Sequence, residues 1–124
     1  MTKLESLKED FQNALSRLEE VLKVPKTDIT RDSAIKRFEI VFDLAWKTIK
    51  VFLEEQHGVY CASPRNCFRE AFSVGMIEYN EEWLELISDR NYSTHIYKEA
   101  LAERIYNDLP AKIPLFKQLL EAIK

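Results

Sequence analysis

Glycine and proline are scarce in this sequence. Only two glycines, Gly58 and Gly75, and four prolines occur among its 124 residues. Because both residue types interrupt regular structure, their scarcity favours long helices joined by short connections. Two widely separated glycines also exclude a glycine-rich phosphate-binding loop.

Histidine and cysteine are equally few. The sequence has two histidines, His57 and His95, and two cysteines, Cys61 and Cys67. Their spacing matches no zinc motif, so we predict no metal site. Because disulfides are rare in cytosolic proteins, we expect the two cysteines to be reduced thiols.

Long apolar runs and a net positive charge are also absent. No run approaches the roughly 18 residues of a transmembrane helix, and the charged N-terminus lacks the apolar core of a signal peptide. The net charge of −3 argues against a broadly basic nucleic-acid-binding face, although a local basic site is compatible with it. We therefore predict a cytoplasmic protein that does not associate with membranes.

Apolar residues recur at helical spacing in the first half of the chain. Thr2, three residues before Glu5, forms a capping-box pattern that begins a first helix, and Pro25 ends this helix. A polar connection follows, with four candidate caps, Thr27, Asp28, Thr30 and Asp32. A second helix is predicted from about residue 33 to residue 55, with Gly58 closing it. This helix is apolar over most of its circumference, which indicates a central position in a bundle or an additional subunit interface.

Two shorter helices follow. Ser63 and Pro64 are a typical cap and first residue for the third helix. Asn80 begins the fourth helix, which we expect to end near residues 90–91, with Asn91 in a left-handed conformation.

The last helix is predicted from about Ile96 to the end of the chain. Pro110 and Pro114 should kink or split it, because proline removes a helical hydrogen bond. No repeat, linker or change in composition divides the chain. We therefore predict one all-α domain over residues 1–124, an up-and-down bundle of four to five helices.

The densest set of reactive side chains lies between the last two helices, over residues 90–97. Arg90 suits phosphate binding, His95 suits proton transfer near neutral pH, and Tyr97 offers a hydroxyl group. On an uninterrupted helix Arg90 and His95 would point about 140° apart. They can therefore act together only if the helix breaks between them or if two subunits bring their copies into one cleft.

A purely structural interpretation of this segment is also open. Arg90 would then pair with Asp89 or Glu85 on the surface, and His95 would cap the last helix. A serine–histidine–acid triad is not favoured, because nothing in the sequence supplies a nucleophile elbow.

A second basic cluster stands at the start of the third helix. Arg65, Asn66 and Arg69 near a helix N-terminus are a candidate anion site, with ordinary solvated charges as the alternative. Arg37 and Glu39 are expected to make edge or interface contacts. The large aromatic residues are expected in the core rather than on a base-stacking surface: Phe38, Phe42, Trp46, Phe52, Phe68, Phe72 and Trp83.

At these residues the sequence resembles a known family. Arg90-Asn91, three further residues, His95, one residue and Tyr97 resemble the signature of the HEPN superfamily of small helical proteins. Within it, the upstream segments resemble the nucleotidyltransferase substrate-binding proteins, and the resemblance extends from about Phe11 to Phe116. The segments are Arg37-Phe38-Glu39, Ala45-Trp46-Lys47, Ser63-Pro64-Arg65 and Ala71-Phe72.

The resemblance implies a helical homodimer that works with a separately encoded small nucleotidyltransferase. The partner would bind ATP and magnesium, and this chain, without a cofactor of its own, would bind the nucleotide or another substrate. By itself it would not transfer nucleotides. The expected nucleotide- or phosphate-binding residues are Arg65, Arg69, Arg90, Asn91, His95 and Tyr97.

An alternative function follows from the same resemblance. Related two-gene systems are toxin–antitoxin pairs in which the HEPN protein is a metal-independent ribonuclease. Arg90 and His95 would then be the catalytic pair acting on RNA, and the nucleotidyltransferase would silence the toxin by transferring AMP to Tyr97.

Overall fold

The computed structural model describes residues 1–123, and these form α-helices and one 3-10 turn without any strand. The predicted all-α bundle is confirmed. In chain order the elements are α1 Lys3–Leu22, α2 Asp28–His57, α3 Pro64–Ser73, α4 Glu82–Tyr92, the 3-10 turn Ser93–His95, and α5 Glu99–Ala122.

Side-chain caps begin α1 and α3 where the sequence predicts them. The N–H of Glu5 donates to the Thr2 hydroxyl at 3.1 Å, and the Glu5 carboxylate accepts from the N–H of Thr2 at 3.2 Å. At α3, the hydroxyl of Ser63 accepts from the N–H of Asn66 at 3.2 Å, with Pro64 in the first helical position. Both starts therefore follow from local hydrogen bonding.

Helix α2 begins at Asp28, earlier than predicted. Thr27 accepts from the N–H of Thr30 at 3.1 Å, and the Thr30 hydroxyl accepts from the N–H of Thr27 at 2.7 Å. The predicted start at residue 33 was wrong because Thr30 takes the place that Glu or Gln holds in the usual capping box. Gly58, with φ of 64°, closes the helix in the left-handed conformation as predicted.

Helix α5 runs without interruption through Pro110 and Pro114, so of the predicted kink or split, the split does not occur. The two prolines are four residues apart, and both are exposed on one face of the helix. The carbonyl groups that lose their helical donors therefore lie towards solvent, where water can satisfy them.

Helix α4 extends past Asn91 to Tyr92 and then tightens into the 3-10 turn. No residue other than glycine within 1–123 has a positive φ, so the predicted left-handed Asn91 is wrong. The Ser93 hydroxyl donates to the Arg90 carbonyl at 2.7 Å, which stabilises the tightened turn.

Aromatic side chains join the α3–α4 hairpin to the main bundle. Phe11 of α1 packs edge-on against Phe116 of α5, with 6.2 Å between ring centroids. Trp83 packs on Phe116 at 6.3 Å and stacks on Phe68 at 4.8 Å. Phe72 is 45% exposed, so its predicted place in the core is wrong: it follows Phe68 by four residues but projects beyond the covered part of α3.

Cys61 and Cys67 form a disulfide, so the expectation of two reduced thiols is wrong. Cys61 lies just before the cap of α3, and Cys67 lies in its first turn. This arrangement brings their Cα atoms to 5.1 Å, within the range that a disulfide spans.

An ion cluster around the buried Arg31 joins the N-terminal parts of α2 and α5. Arg31, only 3% exposed, lies 2.5 Å from Glu99, 3.0 Å from Glu103 and 3.0 Å from Asp32. These carboxylates raise the pKa of Arg31. Lys26 and Arg31 together lower the pKa of Glu103.

Within residues 1–123, no helix is both long and apolar enough to cross a membrane.

Candidate functional site

Arg90 is held by two carboxylates of α2. Its Nε and Nη2 atoms donate to the carboxylate of Asp43 at 3.3 and 3.2 Å, and its Nη1 lies 3.1 Å from Glu39 Oε2. The hydrogen bonds that Arg90 donates to Asp43 are the main cause of the raised pKa of Arg90. The guanidinium is 25% exposed and its charge is already balanced within the protein.

The partners that the structural interpretation assigned to Arg90 are engaged elsewhere. Asp89 lies 4.0 Å from Arg104, and Glu85 lies 2.5 Å from the buried ammonium of Lys112. Burial raises the pKa of Asp89. Arg90 is therefore paired across the bundle rather than along its own helix.

Asp43 is the residue of this cluster that sequence reasoning missed. Glu39 was expected to make an edge contact, and it does so with Arg90. The sequence did contain a signal for this contact: Glu39 and Asp43 are one helical turn apart on a helix with a broad apolar surface. Two such acids on one face predict a cation from a neighbouring element.

His95 and Tyr97 form the second part of the motif. The Tyr97 hydroxyl and His95 Nδ1 share a hydrogen bond of 3.1 Å, and Tyr97 is 76% exposed. The carbonyl of His95 accepts from the N–H of Lys98 at 3.0 Å, which helps to begin α5. The imidazole itself stays on the surface.

His95 and Asn91 meet Arg65 in one open pocket, which we call the polar pocket. It has a volume of about 390 Å³. Arg90 is not among its lining residues, and Tyr97 is connected to the pocket through its hydrogen bond with His95. The lining residues are Arg65, Leu84, Ile87, Ser88, Asn91, Tyr92 and His95.

A second pocket, the aromatic pocket, adjoins the first and has a volume of about 340 Å³. The rings of Phe72 and Tyr79 meet in it edge to face at 5.4 Å, and both are largely exposed. Arg65 belongs to both pockets, and Arg69 belongs to this one. The lining residues are Arg65, Phe68, Arg69, Phe72, Ile77, Glu78, Tyr79, Asn80, Trp83 and Leu84.

The arginines of α3 differ from Arg90 in their surroundings. Arg65 and Arg69 are exposed, and no ion pair within residues 1–123 involves either guanidinium. Their exposed positive charges meet the requirement of an anion site at a helix start and also agree with the alternative of ordinary solvated charges. Within the same residues, no group of three or more His, Cys, Asp or Glu side chains is arranged to hold a metal ion.

Comparison with known proteins identifies the family. A family model described as "Nucleotidyltransferase substrate binding protein like" matches residues 7–124. A crystal structure of a Thermus thermophilus protein is 33% identical with a TM-score of 0.85, covering 92% of this chain and 98% of that one.

Two further proteins are similar to this chain. A Haemophilus influenzae structure, described as the fold of a substrate binding domain of a nucleotidyltransferase, shares the fold at 20% identity and a TM-score of 0.71. That match covers 97% of this chain and 96% of the other. An uncharacterised Methanocaldococcus jannaschii protein is 33% identical over 81 residues, which cover 56% of this chain and 37% of the relative. The described architecture and the match over residues 7–124 agree, and the chain belongs to the family of nucleotidyltransferase substrate-binding proteins.

Proposed function

We propose that this chain is the substrate-holding subunit of a two-component nucleotidyltransferase and that it works as a homodimer beside a small, separately encoded catalytic partner. The partner supplies the ATP- and magnesium-dependent chemistry. Family membership supports the division of labour. The observation that carries the assignment of the site is that Arg65, Asn91 and His95 line one open pocket while Arg65 has no ion-pair partner in residues 1–123.

Each of these side chains has a distinct part in binding. The guanidinium of Arg65 pairs with phosphate oxygens, for which its planar fork is well suited. Asn91 hydrogen-bonds a ribose or phosphate oxygen, and His95 donates or accepts a further hydrogen bond. Arg90 acts on this site indirectly, because its pairing with Asp43 and Glu39 fixes the end of α4 that presents Asn91.

The homodimer is supported by exposed apolar side chains on α2. Ile29 is 82% exposed and Ile40 is 44% exposed, on the helix that the sequence marks as broadly apolar. Light scattering should give the mass of a dimer at micromolar concentration. A monomer under these conditions would contradict the dimer without affecting the binding pocket.

The second candidate function is that of a nucleotidyl acceptor, favoured by the exposed Tyr97 hydroxyl beside His95. The tyrosine oxygen would attack the α-phosphorus of ATP held by the partner, pyrophosphate would leave, and the phenolic proton would pass to His95. The ribonuclease toxin that this modification would silence stays a prediction. Its mechanism needs Arg90 to stabilise the developing phosphate charge, and that guanidinium is already paired.

The test is co-expression with a small tagged nucleotidyltransferase encoded beside this chain, followed by calorimetric titration of the isolated chain with AMP. We expect co-purification and AMP binding that Arg65→Ala weakens. Arg17→Ala is the matched control, because it removes an exposed arginine from α1 with the same change in net charge. No co-purification, or equal AMP affinity in both variants, would contradict the proposal.

The acceptor function has a separate readout. Incubation of both proteins with ATP and magnesium should add the mass of AMP to the wild type and not to Tyr97→Phe. Modification at another residue, or none, would contradict it. The cytoplasmic location stays a prediction, and the Cys61–Cys67 disulfide is a feature uncommon in that compartment.

A further inference from the structure

The polar pocket and the aromatic pocket lie next to each other on the α3–α4 hairpin. Helices α3 and α4 are antiparallel, so the Arg65 end of α3 lies beside the Asn91 end of α4. Both pockets include Arg65 and Leu84, so they adjoin at these two side chains, and we call the two pockets together the groove. Along α3 the groove is lined at helical spacing by Arg65, Phe68, Arg69 and Phe72.

We infer that this groove binds a purine nucleotide lengthwise, with its base against Phe72 and Tyr79 and its phosphate between Arg65 and His95. This inference rests on the proposed function and adds the ligand class, its orientation and a base-binding end.

The aromatic end has the features of a base site. Phe72 and Tyr79 are 45% and 64% exposed, and their rings are inclined at 67°, so they offer two walls of a corner. Trp83, only 5% exposed and stacked on Phe68, forms a fixed floor. Rigid aromatic faces of this kind bind bases by stacking.

Charge sets the direction of the ligand. Glu78 lines the aromatic pocket, where its carboxylate repels a phosphate and accepts hydrogen bonds from the amino group of a base. Arg65 lines the polar pocket together with His95 and Asn91. The nucleotide is thus oriented with its anionic end towards α3's first turn.

The dimensions agree with this orientation. Phe72 follows Arg65 by seven residues, which corresponds to about 10 Å along a helix axis. That distance is comparable to the separation of base and phosphate in an extended nucleotide. Arg69, between the two, lies within reach of the sugar–phosphate link.

The experiment uses Trp83 as a reporter, in a Trp46→Phe background that leaves it as the only tryptophan. AMP, adenosine, UMP and inorganic phosphate are titrated by fluorescence, and by calorimetry with the unmodified chain. AMP and adenosine should change Trp83 emission, phosphate should not, and UMP should bind about tenfold more weakly than AMP because its base stacks less and lacks an amino group.

Two substitutions test the two ends of the groove independently. Phe72→Ala should weaken AMP and adenosine about tenfold and leave phosphate unchanged. Arg65→Ala should weaken AMP and phosphate and leave adenosine unchanged. Tyr60→Ala and Arg17→Ala are the matched controls, since both remove exposed side chains outside the groove, and thermal melts of every variant establish that it is folded.

The outcomes distinguish this inference from the proposed function. AMP binding that depends on Arg65 but neither on Phe72 nor on Trp83 would overturn the base site and leave the function standing. Equal affinity for UMP and AMP would overturn the purine assignment. No AMP binding to the folded wild type would overturn both the groove and the nucleotide-holding function.

Discussion

Removing the guanidinium of Arg90 should destabilise the fold, because it is the cation that ties the end of α4 to α2. In Arg90→Ala, the carboxylates of Asp43 and Glu39 lose their contacts of 3.1 to 3.3 Å with the guanidinium and face each other without a cation between them. Hydrogen bonds to charged groups contribute about 1.5–3 kcal/mol each when shielded. Arg90 is 25% and Asp43 39% exposed, so screening by solvent brings our estimate for Arg90→Ala to about 2 kcal/mol in total.

This free energy converts into a measurable shift of the melting temperature. Unfolding entropy near the transition is about 2.1 cal/mol/K per residue. For 124 residues, about 2 kcal/mol corresponds to a decrease of roughly 8 °C. Circular dichroism during heating would measure it, and the shift should be smaller at high salt.

Arg17→Ala is the matched control for Arg90→Ala. Arg17 is exposed and forms no ion pair within residues 1–123, so its loss should cost no more than about 0.5 kcal/mol. In the double variant Arg90→Ala/Asp43→Ala, the two effects should be less than additive by about 1 kcal/mol. If Arg90→Ala melts like Arg17→Ala and the double variant is additive, Arg90 is not held as described and is free for a ligand.

Two further predictions concern the bundle itself. Glu103→Gln should lower the melting temperature at pH 7 but not near pH 2. The pKa of Glu103 in the folded protein lies below its ordinary value of 4.5. The ionised carboxylate therefore stabilises the fold above pH 4.5, and this effect is lost as the pH falls through the folded pKa. An equal difference at both pH values in thermal melts would contradict this. Phe116→Ala should cost about 3–5 kcal/mol in urea unfolding, because the ring is fully buried between Phe11 and Trp83, and a loss below about 1 kcal/mol would show that the core does not depend on it.

Local sequence signals were sufficient at three helix ends. Thr2, Ser63 and Gly58 each mark a boundary through contacts within a few residues. The start of α2 was predicted too late, because Thr30 holds the capping-box position that a longer acid or amide usually occupies, while Thr27 caps the helix. The prolines do not split α5, because both lie on its exposed face.

The sequence predicted which side chains belong to the candidate site, but it did not predict which of them share a pocket. Arg65, Asn91 and His95 were all named from the sequence, and the structure places them in one pocket. The pairing of Arg90 with α2 could not be foreseen, because its partner Asp43 is 47 residues away and meets it only through the packing of α4 on α2. The exposure of Phe72 could not be foreseen either, because it depends on how much of α3 the other helices cover.

The exposure of the groove's side chains has a consequence for how this protein can diversify. Phe72, Tyr79 and Leu84 are all more than two-fifths exposed, whereas Phe68 and Trp83 beneath them are buried. Substitution of the outer layer therefore costs little folding free energy, while the inner layer keeps the hairpin attached. The selectivity of the proposed nucleotide groove could thus change among relatives, or be redesigned, while the scaffold of α1, α2 and α5 stays the same.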